Sequence, residues 1–299
     1  MAPNITISVP QPYNKIGDGP EGPEVRIMTD QLSQRITGST IIRVDTNWAK
    51  LRNDNWEAGI SLFPAKIMEV TCKAKFMYWR LYSLGTHKYF YLTCTVLMSG
   101  KWLFKPGEYT KAIFILRTPL STPIAFDRSE YSILDTPLFF DSQRGLSKLI
   151  FKFSDDELAK KMKEYGPDLL QVRVSFDEYR NKINSIRSDT MGVCKFLLTQ
   201  KYFSGIGNYL KSEILYHSKI HPRRTIKSLT DDEIKRMLEW SLYLIRDSYH
   251  TGGATLSSYQ SPLGEVGNFK RYVYKQDDDR ISYAEIDGRG TYWREDLQF

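Results

Sequence analysis

Gln200-Lys201-Tyr202-Phe203-Ser204-Gly205-Ile206-Gly207-Asn208-Tyr209-Leu210 sets two glycines between segments with helical apolar spacing, Val193 to Leu198 and Tyr209 to Tyr216. Glycine permits backbone angles and close approaches that a side chain would block. A helix starting at Asn208 presents free N–H groups and the positive end of its dipole, a setting suited to a phosphate. The same residues also fit a plain helix–helix turn with Asn208 as the N-cap. On either account two helices meet at a tight corner.

Outward from that corner the periodicity stays helical. Ser154-Asp155-Asp156-Glu157 and Thr230-Asp231-Asp232-Glu233 each join a capping hydroxyl to an acidic first turn. The second opens a long helix ending near Tyr249. Upstream, from about Ile41 to Phe153, the character changes. Val70-Thr71-Cys72, Phe76-Met77-Tyr78-Trp79, Tyr89-Phe90-Tyr91-Leu92 and Ala112-Ile113-Phe114-Ile115-Leu116 are β-branched and aromatic runs punctuated by turn residues. They predict strands of a sandwich or barrel. Ahead of them Val25, Met28, Leu32 and Ile36 recur at helical spacing and stop at Gly38. The chain therefore reads as α+β: an N-terminal helix with a β-sandwich lobe, then a helical lobe. The expected divisions are an extension over 1–19, a β domain over 20–153 and a helical domain over 154–299. Its aromatic-rich end, about 269–299, reads as an appended hairpin.

A chain of 299 residues can hold two such cores. Its net charge of +7 fits a polyanionic partner, although basic proteins without one are common. Three scattered cysteines, Cys72, Cys94 and Cys194, argue against a disulfide framework and for a reducing compartment. No apolar run approaches the roughly 18 residues of a membrane span. Met1 to Gly19 lacks the basic and apolar segments of a secretory leader. These features predict an intracellular protein with no membrane partner.

Three blocks in order carry a resemblance. Pro20-Glu21-Gly22-Pro23-Glu24-Val25, the Gln200–Leu210 corner continuing to His221-Pro222, and Asp287-Gly288-Arg289-Gly290-Thr291-Tyr292-Trp293 resemble signatures of the formamidopyrimidine-DNA glycosylase and endonuclease VIII family. Tyr165-Gly166-Pro167-Asp168-Leu169-Leu170 is similar to the family's interdomain segment. The resemblance implies a base-excision repair enzyme, a DNA glycosylase with AP lyase activity, whose corner is a helix-two-turns-helix element. Carried over residue by residue, it implies that Pro20 is the amine nucleophile, Glu21 the acid–base group and Glu24 an orienting carboxylate. Lys75 approaches the lesion phosphate. Met98 fills the gap of an everted base, and Arg128 or Tyr131 stands for the family's other gap-filling residues. Asn208 grips phosphate with Lys211, Arg223 and Arg224 in support, and Arg289 enters the minor groove or holds phosphate. Residue types alone leave other accounts open: an acidic helix start at Pro20–Glu24, a strand lysine at Lys75, core packing for Met98 and a turn arginine at Arg289.

Two departures matter. Pro20 follows Gly19, so its nitrogen is an amide, neither basic nor nucleophilic, and no methionine separates Met1 from Pro20. Proteolytic exposure of Pro20, another nucleophile, or lesion binding without cleavage would each accommodate this. From residue 251 onward there is neither Cys nor His, with Arg294 and Leu297 in two expected cysteine places, so no tetrahedral zinc site of that kind can form. The segment looks like a zincless finger, which points to the endonuclease VIII-like branch; Gly252-Gly253-Ala254-Thr255-Leu256-Ser257 through Gly267-Asn268-Phe269 instead resembles the lesion-capping loop of the other branch. Oxidised pyrimidines and ring-opened purines both fit. The expected partner is duplex DNA with damaged bases, or single-stranded DNA, bound by a monomer without metal or cofactor in the nucleus or another DNA-containing compartment.

Overall fold

A computed structural model describes residues 19–51, 53–118, 134–256 and 259–299. The expected extension except Gly19, the segment containing Arg128 and Tyr131, and Ser257 of the capping loop lie outside the described residues.

The first lobe is one antiparallel sheet folded onto itself. Its strands are β1 (Thr40–Thr46), β2 (Ala65–Lys73), β3 (Phe76–Ser83), β4 (Tyr89–Thr95), β5 (Gly100–Leu103), β6 (Thr110–Thr118), β7 (Leu134–Ser142) and β8 (Lys148–Lys152). They run in the order β5-β7-β6-β1-β2-β3-β4-β8. Along β6, Ala112, Phe114 and Leu116 are buried in alternation with Ile113 and Ile115, the period-two pattern of a sheet with one face inward. Trp79 of β3 and Trp102 of β5 have ring centroids 4.7 Å apart, although four strands separate theirs in the sheet. Trp102 also meets Phe114 at 5.2 Å and Phe140 at 4.8 Å. These contacts close the sheet into the expected sandwich. Full burial of each such Phe contributes about 1.5–3 kcal/mol.

Helix α1 (Gly22–Ile36) buries Val25, Met28, Leu32 and Ile36. Pro23 sits in its first turn, where a missing N–H costs little. Glu24 accepts the Glu21 backbone N–H at 2.9 Å, half of a reciprocal capping box. The helix packs on β2 and β3 and against α7 (Asp231–His250), so its N-terminus lies where the lobes meet. Tyr249 of α7 donates to Asp30 of α1 at 2.8 Å across that junction. A further helix of the first lobe, α2 (Asp54–Ile60), packs against β8.

The second lobe contains α3 (Asp155–Met162), α4 (Phe176–Asn184), α5 (Val193–Leu198), α6 (Asn208–Ser218) and α7. Ser154 caps α3 and Thr230 caps α7 through the backbone N–H groups of Glu157 and Glu233, as their sequences predict. The terminal hairpin is narrower than expected: only β9 (Ile281–Ile286) and β10 (Arg289–Arg294) pair. The stretch before it cannot join, because the N–H groups of Tyr272, Val273 and Tyr274 are used by the buried Glu213 carboxylate at 2.9, 3.1 and 2.8 Å. Among the described residues no helix is long and apolar enough to cross a membrane.

Candidate active site at the lobe junction

The corner between α5 and α6 meets the start of α1. Gly22 N–H donates to Gly205 O at 2.9 Å, and a Cβ on Gly22 would lie 2.7 Å from the Gly205 Cα. Gly205 itself has φ +111°, in the region that favours glycine. Ser204 and Gly166, in turn, clamp the interdomain segment: Gly166 N–H donates to Gln200 O at 2.8 Å and Ser204 N–H to Pro167 O at 2.8 Å. Asp168 then accepts Ala74 N–H at 2.8 Å from the tip of the β2–β3 hairpin, where Lys75 sits. One chain of hydrogen bonds thus fixes Glu21, Lys75 and the corner together.

Glu21 and Glu24 are buried. Glu21 Oε1 accepts Tyr209 N–H at 2.9 Å, while its Oε2 has no partner. Glu24 Oε1 accepts the Tyr209 hydroxyl at 2.8 Å and Ala254 N–H at 2.8 Å. Burial raises the Glu21 carboxyl to about 7, against the pull of the Lys75 cation; Glu24 adds to the rise. Burial also lifts Glu24, opposed by its donors Ala254 and Tyr209. The Lys75 amine moves the other way, lowered by burial against the opposite influence of Glu21 and Glu24. A carboxyl raised toward neutrality beside an amine shifted downward is the kind of pairing that acid–base and nucleophilic chemistry uses.

A cleft of about 490 Å³ opens over these groups, lined by Pro20, Glu21, Lys75, Met98, Asn208 and Arg289 among others. Six of the expected site residues therefore face one cavity. Glu24 does not line the cleft; it is buried against Tyr209 and Ala254. Met98 is half-buried, with Arg144 Nη1 3.6 Å from its sulfur. Arg289 stands exposed at the start of β10.

Lys211 is placed otherwise than a surface cation. It is fully buried, donating to Asn208 Oδ1 at 2.8 Å and Thr291 Oγ1 at 2.7 Å, and burial lowers its amine to about 8. Its helical position, three residues after Asn208, turns it under the hairpin rather than outward. Asn208 Nδ2 meanwhile donates to Gly290 O at 2.9 Å and to the Tyr274 hydroxyl at 3.1 Å. Arg224 is also committed, paired with Glu233 at 2.5 Å and donating to Phe299 O at 3.2 Å, whereas Arg223 is exposed over the Trp293 ring. Arg294, in one of the places where zinc-binding relatives are expected to carry cysteine, forms a two-pronged pair with Asp296 at 2.7 and 2.6 Å. Gln298 ties the strand end to Ile220 O at 2.9 Å. Among the described residues no group of His, Cys, Asp or Glu could hold a metal ion. Sequence reasoning missed Tyr209, Ser248 and Glu213 as organisers of the site; nothing in their local spacing marks them.

Comparison with known proteins fits this geometry. The formamidopyrimidine-DNA glycosylase N-terminal domain matches residues 19–145, and the formamidopyrimidine-DNA glycosylase H2TH domain matches residues 165–260. The chain belongs to the formamidopyrimidine-DNA glycosylase family. It is 28% identical to the formamidopyrimidine-DNA glycosylase of Zymomonas mobilis, over 91% of this chain and 97% of that one. The fold is shared with the MutM (Fpg) protein of Thermus thermophilus, at a TM-score of 0.74 and 24% identity over 93% of this chain and 98% of that one. It is shared too with Lactococcus lactis Fpg, solved in complex with DNA containing an oxidised pyrimidine, at a TM-score of 0.75 and 20% identity over 93% and 99%. α5, the glycine corner and α6 lie within the residues that match the H2TH domain, and the cleft lies between them and the residues that match the N-terminal domain.

Proposed function

We propose that the protein is a DNA glycosylase of base-excision repair that removes oxidised pyrimidines and ring-opened purines and then cleaves the strand as an AP lyase. One observation carries this reading: Glu21, Lys75, Met98, Asn208 and Arg289, from both lobes, converge on one cleft. The cleft volume of about 490 Å³ suits a single everted nucleotide, which such enzymes must take out of the stack. Met98 fills the space left in the duplex, and Asn208 and Arg289 hold the backbone on either side. Glu21 gives its proton to the sugar ring oxygen, while Glu24 and Tyr209 fix the carboxylate array.

The hairpin, held by the β9–β10 ladder with Arg294 paired to Asp296 where zinc-binding members carry a cysteine, supports assignment to the zincless, endonuclease VIII-like branch. The reading implies a monomer acting on duplex DNA, with single-stranded DNA a second substrate, in a DNA-containing compartment. A second reading, a protein that binds lesions without cleaving them, is favoured by the amide nitrogen of Pro20. Single-turnover assays on duplexes with one oxidised pyrimidine, one ring-opened purine or one 8-oxoguanine test both. Release of the first two bases with strand cleavage is expected. Preferential binding with no release supports the second reading, and equal binding to undamaged duplex overturns both.

A further inference from the structure

The chemistry just described needs an amine at the sugar, and Pro20 does not offer one in the intact chain. Its nitrogen is acylated by Gly19, which is wedged against the Met98 strip: a Cβ on Gly19 would lie 2.1 Å from Leu97 O and 2.4 Å from Met98 Cα. We propose that Lys75 supplies the nucleophilic amine in the intact chain. This rests on the lyase reading above and specifies its attacking atom.

Lys75 is carried at a fixed point. Ala74 before it is buried in a left-handed turn, φ +52°, and its N–H is held by Asp168. The side chain then reaches the floor of the cleft beside Glu21. A Cβ on Gly207 would lie 2.3 Å from Glu21 Oε1 and 2.5 Å from Lys75 Nζ, so both groups crowd one spot that only glycine leaves free. Among the described residues Lys75 makes no hydrogen bond or ion pair, and Glu21 Oε2 is buried without a partner. Lys75 is half-buried and lines the cleft, so its amine is within reach of a bound sugar, and a buried carboxylate oxygen without a partner beside it fits a group that acts on a ligand. Among the described residues Lys275 also lines the cleft, and Lys211 lies beneath Asn208 at its edge. Lys211 is fully buried and spent on Asn208 and Thr291, and Lys275 lies over the Tyr274 ring.

The step balances without any oxidant or cofactor. Neutral Lys75 Nζ bonds to C1′ of the damaged nucleotide as the bond from C1′ to the base breaks. The bonding pair leaves with the base, which takes the proton shed by the nitrogen. Glu21 then protonates the ring oxygen, the C1′–O bond opens, and the nitrogen lone pair forms a protonated imine at C1′. The Glu21 carboxylate, having given up its proton, takes one from C2′; the C2′–H pair forms a C2′=C3′ double bond as the C3′–O bond breaks and the 3′ phosphate leaves, and water later hydrolyses the imine and frees Lys75.

The test uses the intact chain, verified by mass, on duplex DNA with a single abasic site and on duplex with one oxidised pyrimidine, each reduced with borohydride. Peptide mapping is expected to place the adduct on Lys75 of a full-length chain. Lys75→Arg, which keeps the cation but cannot form the imine, is expected to lower trapping by about 100-fold or more on duplex saturated with protein. An adduct at Pro20 of a shortened chain, or full trapping by Lys75→Arg, overturns the inference and leaves the lyase reading standing. No adduct despite preferential lesion binding overturns the inference and the lyase reading together.

Discussion

The Tyr209 hydroxyl stands 2.8 Å from Glu24 Oε1 and 2.8 Å from Ser248 Oγ, joining the first turns of α1 and α6 to the last turn of α7. All three residues are fully buried, so the hydroxyl is the polar pin of the lobe junction. Tyr209→Phe removes the pin and leaves a buried carboxyl short of a donor. A loss of about 1–3 kcal/mol in urea unfolding is expected. Unchanged stability would show that the junction is held without it.

Gly207 offers a sharper geometric test. A methyl group there meets the Glu21 carboxyl carbon at 2.1 Å and must push Glu21 and Lys75 apart. Gly207→Ala is expected to keep the fold and duplex binding but lower single-turnover excision by about 100-fold, the usual cost of misplacing reacting groups by about 1 Å. Near-normal excision would mean that the two groups do not act together.

Glu21 links stability to pH with a definite sign. Its folded value, about 7, lies above the ordinary 4.5, so between these values the folded protein holds a proton the unfolded chain has lost. That stabilisation is present below about 4.5 and disappears as pH rises through about 7. At pH 8 the buried carboxylate costs about 3 kcal/mol against a neutral group of the same shape. Glu21→Gln should therefore raise the melting temperature at pH 8 and much less near pH 4.5. Excision should fall by about 10²–10⁴-fold, since the proton donor is gone. Wild-type excision should decline above about pH 7 as that proton is lost; a flat profile would remove Glu21 from the acid role.

The sandwich, the capped helices and the glycine corner were legible because each rests on local pattern: alternating burial in β6, Ser154 and Thr230 at helix starts, Gly205 and Gly207 at the turn. The convergence of Glu21, Lys75 and Asn208 followed from motif resemblance, since their sequence separation hides a contact made through Asp168 and Ala74. The burial of Lys211 is not legible in the sequence for a physical reason. In sequence this lysine looks like any basic residue of a helix, and only the hairpin closing over it turns it into a buried donor. Glu213 was invisible in the same way, its partners being backbone amides of Tyr272 to Tyr274, about sixty residues downstream.

That burial separates two kinds of cation by salt dependence. Arg289 is exposed at the cleft rim, so a phosphate it holds releases counterions on binding. Arg289→Ala is expected to weaken duplex affinity and reduce the slope of log K against log salt by about one. Lys211 touches Asn208, Thr291 and the Gly290 carbonyl instead. Lys211→Met should loosen the hairpin and Asn208, lowering affinity while leaving the salt slope unchanged, because no phosphate contact is lost directly. Affinities measured across a salt series for both variants decide it. A slope that falls equally in the two would mean that Lys211 swings out to the backbone on binding, and that the buried network is a resting arrangement of the unbound protein.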